Sequence, residues 1–243
     1  MVRSIWSSRD TRMAVSRALE VACETARSVN ERVLEAAAVG AVGAALGAGA
    51  GTIVGLSGPA AAVAATNGAI SGFRQIYEWT SRKGRVAFVL DSTWALVTTA
   101  ASLVPQLVGM LTPGEYDESL SKRSNRHVYR RGFVVRRNFA VTVGNVVSGA
   151  GDTSNESRRR LVSDHEDVHV WQSRIMGPFF PIVYLGWMAI MAPVAVAGWL
   201  RRRIAGDRST SLFAAIDRRA YWQHPLEQQA YLRASRASQA RSG

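Results

Sequence analysis

Three stretches of this chain carry no charged side chain: residues 36–73, 92–114 and 175–200. Each is long enough to cross a bilayer as a helix, because about 20 residues at a 1.5 Å rise span a ~30 Å hydrocarbon core. So much uncharged apolar sequence in 243 residues predicts a membrane-associated, mainly helical protein. Positive charge brackets the runs at Arg82, Lys83 and Arg85, at Arg158, Arg159 and Arg160, and at Arg201, Arg202 and Arg203. The chain has 30 Lys+Arg against 18 Asp+Glu, a net charge of +12, and only Lys83 and Lys122 are lysine. Two anionic partners take such charge: nucleic acid and the lipid headgroup layer. No helix-turn-helix, zinc-finger or RNP-like pattern is present, so no nucleic acid is expected and the lipid membrane is the expected partner. A single cysteine, Cys23, excludes an intramolecular disulfide scaffold and a cysteine-only zinc site.

The first run is ordered by its glycines. Gly43, Gly47, Gly51 and Gly55 recur every four residues, and Gly68 and Gly72 repeat the interval. That interval puts glycines on one helix face, where a second helix can approach closely. Ser57, Gly58 and Pro59 make a turn between two arms, about 36–56 and 60–78. The expected unit is a glycine-zipper helical hairpin. Its glycine face suits packing within one subunit or self-association through Gly43, Gly47, Gly51 and Gly55, and spacing alone leaves both open. Before it, residues 1–35 are expected to hold an amphipathic surface helix from about residue 8, with Ala14, Ala18, Val21, Ala22, Val29, Val33 and Leu34 as its apolar positions. After it, residues 86–111 are expected to be one helix kinked at Pro105. Asp91, near its start, is either a functional buried acid or an interfacial ion pair or cap.

Residues 127–148 change character. HVYRRGFVVRRNFAVTVGNVVS is rich in Val, Phe and Tyr, with Gly132 and Gly144 as punctuation, and suits short strands over 127–130, 132–137 and 139–147. A polar loop follows, then a helix from about Ser157 to Arg174. That helix holds the sharpest motif in the chain, His165-Glu166-Asp167-Val168-His169, an HExxH sequence. Histidines four apart share a helix face and can bind one metal ion, with Glu166 beside them as general base. The plainer reading is a polar helix surface whose histidines pair with Asp164 or Asp167.

HEDVHVWQSRIMGPFFPIVY and the later YWQHPLEQQAY together resemble small bacterial zincin-like proteins, minimal relatives of the gluzincin metallopeptidases. The resemblance covers about residues 127–231. It implies Zn2+ held by His165, His169 and Glu227, with Gln172 a motif residue of unassigned role. It also implies Glu166 as general base, with zinc-bound water attacking the carbonyl of a protein or peptide substrate. The implied setting is a bacterial cytoplasmic membrane. His224 stands where the family has Asn, which leaves it as an alternative ligand, a transition-state hydrogen-bond donor or a helix cap. Tyr184, Tyr221 and Tyr231 are candidate oxyanion donors or interfacial aromatics.

A single complete crossing by 176–200 would put His165 and Glu227 on opposite sides of the membrane, so a shared metal requires a surface-lying or re-entrant segment there. The expected fold class is therefore mainly α, α+β. Its expected parts are a helix over 1–35, a membrane-associated glycine-zipper region over 36–114, and a zincin-like domain with a short antiparallel sheet over 115–231. That domain carries an apolar insertion at 176–200, and a frayed basic tail follows at 232–243. The competing function is non-enzymatic: a membrane scaffold or pore built on the hairpin, with a degenerate metal site.

Overall fold

Glycine spacing sets a close helix-to-helix contact in the N-terminal half. In the computed structural model, which describes residues 8–136 and 138–242, helix α1 (Ser8–Thr52) turns at 53–56 and returns as α2 (Ser57–Phe73). A Cβ at Gly47 would lie 2.6 Å from the Ala60 carbonyl oxygen, and one at Gly68 would lie 2.6 Å from that of Val39. Only glycine permits this backbone-to-backbone approach. The expected separate helix over 8–35 and first arm over 36–56 are one continuous helix, and the second arm ends at Phe73 rather than 78. Residues 1–7 and the side chains of Ala14, Ala18, Val21 and Ala22 lie outside the described residues. Val29, Val33 and Leu34 are exposed.

The expected single helix over 86–111 is two. Helices α3 (Arg82–Ser92) and α4 (Leu96–Leu111) meet at 91°. The bend falls at 93–95, not at Pro105, which sits inside α4. Side chains take over backbone groups around the break: Thr93 Oγ1 donates to Val89 O (2.6 Å) and Thr99 Oγ1 to Asp91 O (2.9 Å). Helix α4 is polar inside and apolar outside. Thr98, Thr99, Ser102 and Gln106 are buried, whereas Val97, Val104, Leu107, Met110 and Leu111 are exposed.

A short helix, α5 (Glu118–Ser121), leads to a sheet of β1 (His127–Tyr129), β2 (Val141–Val143) and β3 (Val146–Ser148), in the order β1-β3-β2. The expected antiparallel sheet is mixed: β2 and β3 form an antiparallel hairpin, but β1 lies parallel to β3, with His127 opposite Val146. Gly144 opens the two-residue hairpin loop at φ +55°, and a Cβ there would sit 2.5 Å from Thr98 O. Of the expected strand over 132–137, residues 132–136 are irregular, and residue 137 lies outside the described residues. The far edge of β1 is already used by Tyr116 bridging Tyr129 and by Glu115 O accepting from the Arg130 amide, so 132–136 find no partner there.

Beyond the sheet come α6 (Glu156–Arg160), a π-helical turn (Leu161–Glu166) and α7 (Asp167–Met176). In the π turn the Asp167 amide reaches back five residues to Val162 O. Gly177, at φ +54°, breaks the chain direction, and a Cβ on it would collide with the Trp94 indole. Helix α8 (Phe179–Ile204) then runs uninterrupted through Gly186, Pro193 and Gly198. The return path is α9 (Leu212–Ile216) and a second π turn (Asp217–Trp222), packed back along α8, with Trp199 Nε1 donating to Thr210 O (3.0 Å). The chain ends in α10 (Pro225–Ser242). The expected frayed tail is helical to residue 242, and Arg241 pairs with Asp164 in the first π turn.

A buried polar network joins the helical N-terminal half to the sheet and α7. Asp91 of α3 receives Arg174 of α7 through Nε and Nη2, both at 2.8 Å, and also Tyr77 OH at 2.9 Å. Asn145 links Asn67 (2.9 Å) and Ser102 (3.1 Å). His127 sits among Ser71, Gln106 and Tyr116. A buried polar group without a partner is costly, so this network fixes how the two halves meet. Asp91, expected as a functional buried acid or as an interfacial ion pair or cap, is an ion-pair partner, but a buried one.

Candidate metal centre

Two sequence-distant elements build the site. The π turn and α7 carry His165 and His169 on one face, and the first turn of α10 brings Glu227 against them. His165 Nε2 and His169 Nε2 are 3.2 Å apart. Each lies 3.4 Å from a different oxygen of Glu227: Oε2 for His165 and Oε1 for His169. All three side chains are buried, and their nearest donor atoms lie within 4.8 Å of one another.

The surrounding hydrogen bonds set the protonation of this cluster. Gln172 Nε2 donates to Leu226 O (3.0 Å) and to Gln229 Oε1 (2.8 Å), which turns Gln172 Oε1 toward His169 Nδ1 at 2.8 Å. That oxygen is an acceptor, so Nδ1 carries a proton and Nε2 is the nitrogen that faces the cluster, where a metal ion would take the place of its proton. Gln172, of unassigned role in the sequence, is therefore the residue that selects the tautomer. Burial alone would lower the His169 pKa, but its hydrogen bond to Glu227 and the charges of Glu227 and Glu166 hold it above the ordinary value. Burial pushes Glu227 upward, yet His165, His169 and the Tyr184 hydroxyl hold it well below the usual carboxylate range. An ionised buried carboxylate facing two imidazole nitrogens could hold a metal ion by its donor chemistry. Glu227 Oε2 has no hydrogen-bond donor among the described residues, which fits an oxygen reserved for a metal.

Glu166 lies beside the cluster without joining it. Its Oε2 accepts from Thr142 Oγ1 of β2 at 2.6 Å. Thr142 went unrecognised in the sequence, because a lone threonine in a valine-rich strand carries no signal of its own. A cleft of about 610 Å³ opens over Glu166, His169 and Glu227. Its walls are mostly apolar, with Val141, Phe180, Leu185, Met188 and Phe213 among them. Arg136 and Asp217, paired at 3.1 Å, close one side.

No family model, curated protein or solved structure matches this chain. The remaining expected site residues are therefore judged by geometry alone. His224 stands outside the cluster. Its Nδ1 accepts from the Leu226 amide (3.1 Å), its Nε2 faces Tyr184 O (3.3 Å), and its ring stacks on Tyr184. Of its three expected uses, this is the cap at the start of α10, and no nitrogen is left for a ligand role. Tyr184 OH donates to Glu227 Oε1 at 2.7 Å, so it positions the carboxylate. Tyr231 packs its ring against His165 at 4.4 Å, and Tyr221 lines the cleft.

The path of α8 brings the two parts of the site together. The chain leaves along α8 and returns along residues 212–222, so Tyr184 near the start of the excursion touches Glu227 after its end.

Proposed function

We propose that this chain is a membrane-associated zinc metallopeptidase of gluzincin type. The observation that carries the reading is the convergence of His165, His169 and Glu227 beside Glu166 under an open cleft. Two histidines and a carboxylate are the donor set of catalytic zinc, which leaves a position for water and substrate. Zinc bound there would supply Lewis acidity and a water of lowered pKa. Glu166 takes the proton of the attacking water and passes it to the leaving amine, and Thr142 holds its carboxylate in position. Gln172 keeps His169 in the ligand tautomer, and Tyr184 holds Glu227. Among the described residues strand β2 pairs only with β3, and its Val141 and Thr142 line the cleft. Its other edge suits an extended peptide, and the apolar walls suit bulky apolar side chains around the scissile bond.

Membrane association rests on the outer surface. Two helical segments, Glu24–Thr52 and Phe179–Ile204, are long and apolar enough to cross a membrane, and α4 turns its apolar face outward. The return of 212–222 along α8, with Asp217, Arg218 and Arg219 in it, favours α8 lying along or dipping into the bilayer over a single crossing. The scaffold or pore alternative has less support, since Gly43, Gly47, Gly51, Gly68 and Gly72 are taken up by the helix-to-helix contact within one chain.

Elemental analysis of detergent-purified protein tests the metal, and hydrolysis of an internally quenched peptide library tests the reaction. About one zinc per chain is expected, lost in His165→Ala and Glu227→Ala. Glu166→Gln is expected to keep zinc and lose hydrolysis. A protein that holds no zinc after metal is added back overturns the reading.

A further inference from the structure

A second cavity, of about 370 Å³, lies between the distal half of α8 and the returning segment, away from the metal cluster. Its floor is apolar and small: Val194, Ala195 and Gly198 of α8, with Ala215 opposite. Its mouth is cationic: Arg202, Arg218 and Arg219, with Thr210 and Gln223 beside them. The volume falls in the range of small-molecule sites.

All three arginines are exposed and lack the ion pairs that several other arginines make. Arg123 pairs with Glu35, Arg126 with Asp167, Arg136 with Asp217 and Arg174 with Asp91. Among the described residues, Arg202, Arg218 and Arg219 have no carboxylate within ion-pair distance. The neighbouring acids are engaged elsewhere. Asp217 accepts from Arg136 and from Trp222 Nε1, and Asp207 accepts from the Ser209 amide and hydroxyl. Arg203, next in sequence to Arg202, lies over the Trp199 ring instead. Arg219 Nη1 donates to Gln223 Oε1 at 3.0 Å, which orients its guanidinium at the cavity mouth. Three guanidinium groups without a direct ion-pair contact, beside a hydroxyl and an amide, fit a phosphate, which takes bidentate charge-assisted hydrogen bonds. The apolar floor opens on a helix whose Ile190, Val194 and Leu200 are exposed, so the site joins a cationic mouth to an apolar bed.

We propose that this cavity binds the phosphate headgroup of an anionic phospholipid, with its glycerol and acyl region along α8. The site would hold the α8 excursion at the bilayer surface. The proposal is independent of the peptidase reading and needs no metal. A free phosphate shares the headgroup chemistry but has no use for the apolar floor.

The test compares binding of the full chain to phosphatidylcholine vesicles with and without phosphatidylglycerol, by flotation. Three proteins are compared first: wild type, the cavity triple Arg202→Gln/Arg218→Gln/Arg219→Gln, and a control triple Arg159→Gln/Arg233→Gln/Arg236→Gln. The control removes equal charge from exposed positions. General attraction is worth roughly fivefold per arginine near an anionic surface, and both triples lose it. The cavity triple is expected to lose at least roughly tenfold more of the phosphatidylglycerol-dependent affinity than the control. Gly198→Leu adds no charge, and a Cβ at 198 meets no atom within 4 Å, so it fills the cavity wall without a clash. It is expected to reduce the same affinity at unchanged thermal stability. Equal loss in the two triples, or an unaffected Gly198→Leu, overturns the proposal. Displacement of the protein from phosphatidylglycerol vesicles by millimolar inorganic phosphate, at ionic strength matched with chloride, overturns the lipid assignment in favour of a soluble anion.

Discussion

Replacing Asp91 with Asn removes one charge from the ion pair that ties α3 to the helix carrying the HExxH motif. The two side chains are 1% and 2% exposed, and both contacts of the bidentate pair are 2.8 Å. At an effective dielectric near 20, unit charges about 4 Å apart attract by ~4 kcal/mol. Stranding one buried charge costs about 3–5 kcal/mol by analogy with other broken buried pairs. Asp91→Asn is therefore expected to lower the unfolding midpoint by roughly 6–20 °C, at ~2–4 °C per kcal/mol for a chain of this size. The double variant Asp91→Leu/Arg174→Met leaves no buried charge and is expected to recover at least half of that loss. Tryptophan-monitored thermal melts in detergent read both effects. Arg174 lies five residues beyond His169 on α7, so Asp91→Asn is also expected to weaken zinc retention. A shift below about 3 °C in the single variant would refute the argument. So would a double variant no better than the single.

Three further outcomes are expected. Gln172→Ala frees the His169 tautomer and should weaken zinc affinity by about 10–100-fold, measured by competition with a chelator, while Glu166→Gln leaves it within a few-fold. His127, fully buried, has its pKa lowered to about 3 by desolvation and by the nearby charges of Arg74 and Arg174. The folded state thus binds fewer protons than the unfolded state, so stability should fall as pH drops from about 6.5 toward about 3. The ceiling for this one residue is ~5 kcal/mol, and a His127→Gln variant should show a flatter acid limb in melts across that window. Gly47→Val drives a side chain into the Ala60 carbonyl, where a Cβ has only 2.6 Å. It should cost about 1–3 kcal/mol and separate α1 from α2, read as loss of a cysteine crosslink engineered across the pair.

The HExxH motif and the close-packed hairpin were legible in the sequence, because each rests on residue type at fixed spacing, whereas Glu227 as the distant partner came only from the resemblance to zincin-like proteins. Four-residue glycine intervals and an i, i+4 histidine pair specify a helix face directly. What could not be read depends on contacts between distant segments. The bend at 93–95 answers to Trp94 Nε1 donating to Ile175 O and to Arg174 holding Asp91, both from α7. Nothing local marks them. The parallel register of β1 on β3 depends on His127 and Asn145 being satisfied by α2 and α4. The roles of Thr142 and Gln172 are likewise relational, since each acts through the hydrogen bond it offers to a motif residue. The two π turns left no periodic signature, because one extra residue per turn looks like noise in a 3.6-residue pattern.

Glu35 has a consequence for biosynthesis. It sits at the end of the charge-free hairpin and accepts from Trp79 Nε1, Gln75 Nε2 and Arg123, the last of them 88 residues further along the chain. At a synthesis rate of about 5–20 residues per second, Glu35 waits roughly 4–18 s for Arg123 to leave the ribosome. The α1 and α2 arms are complete well before that. During this interval the nascent hairpin is apolar and carries Glu35 without the Arg123 guanidinium that pairs with it in the folded chain. That charge would resist deeper insertion until the later segment arrives, so the order of translation itself would set how far the first two helices sink.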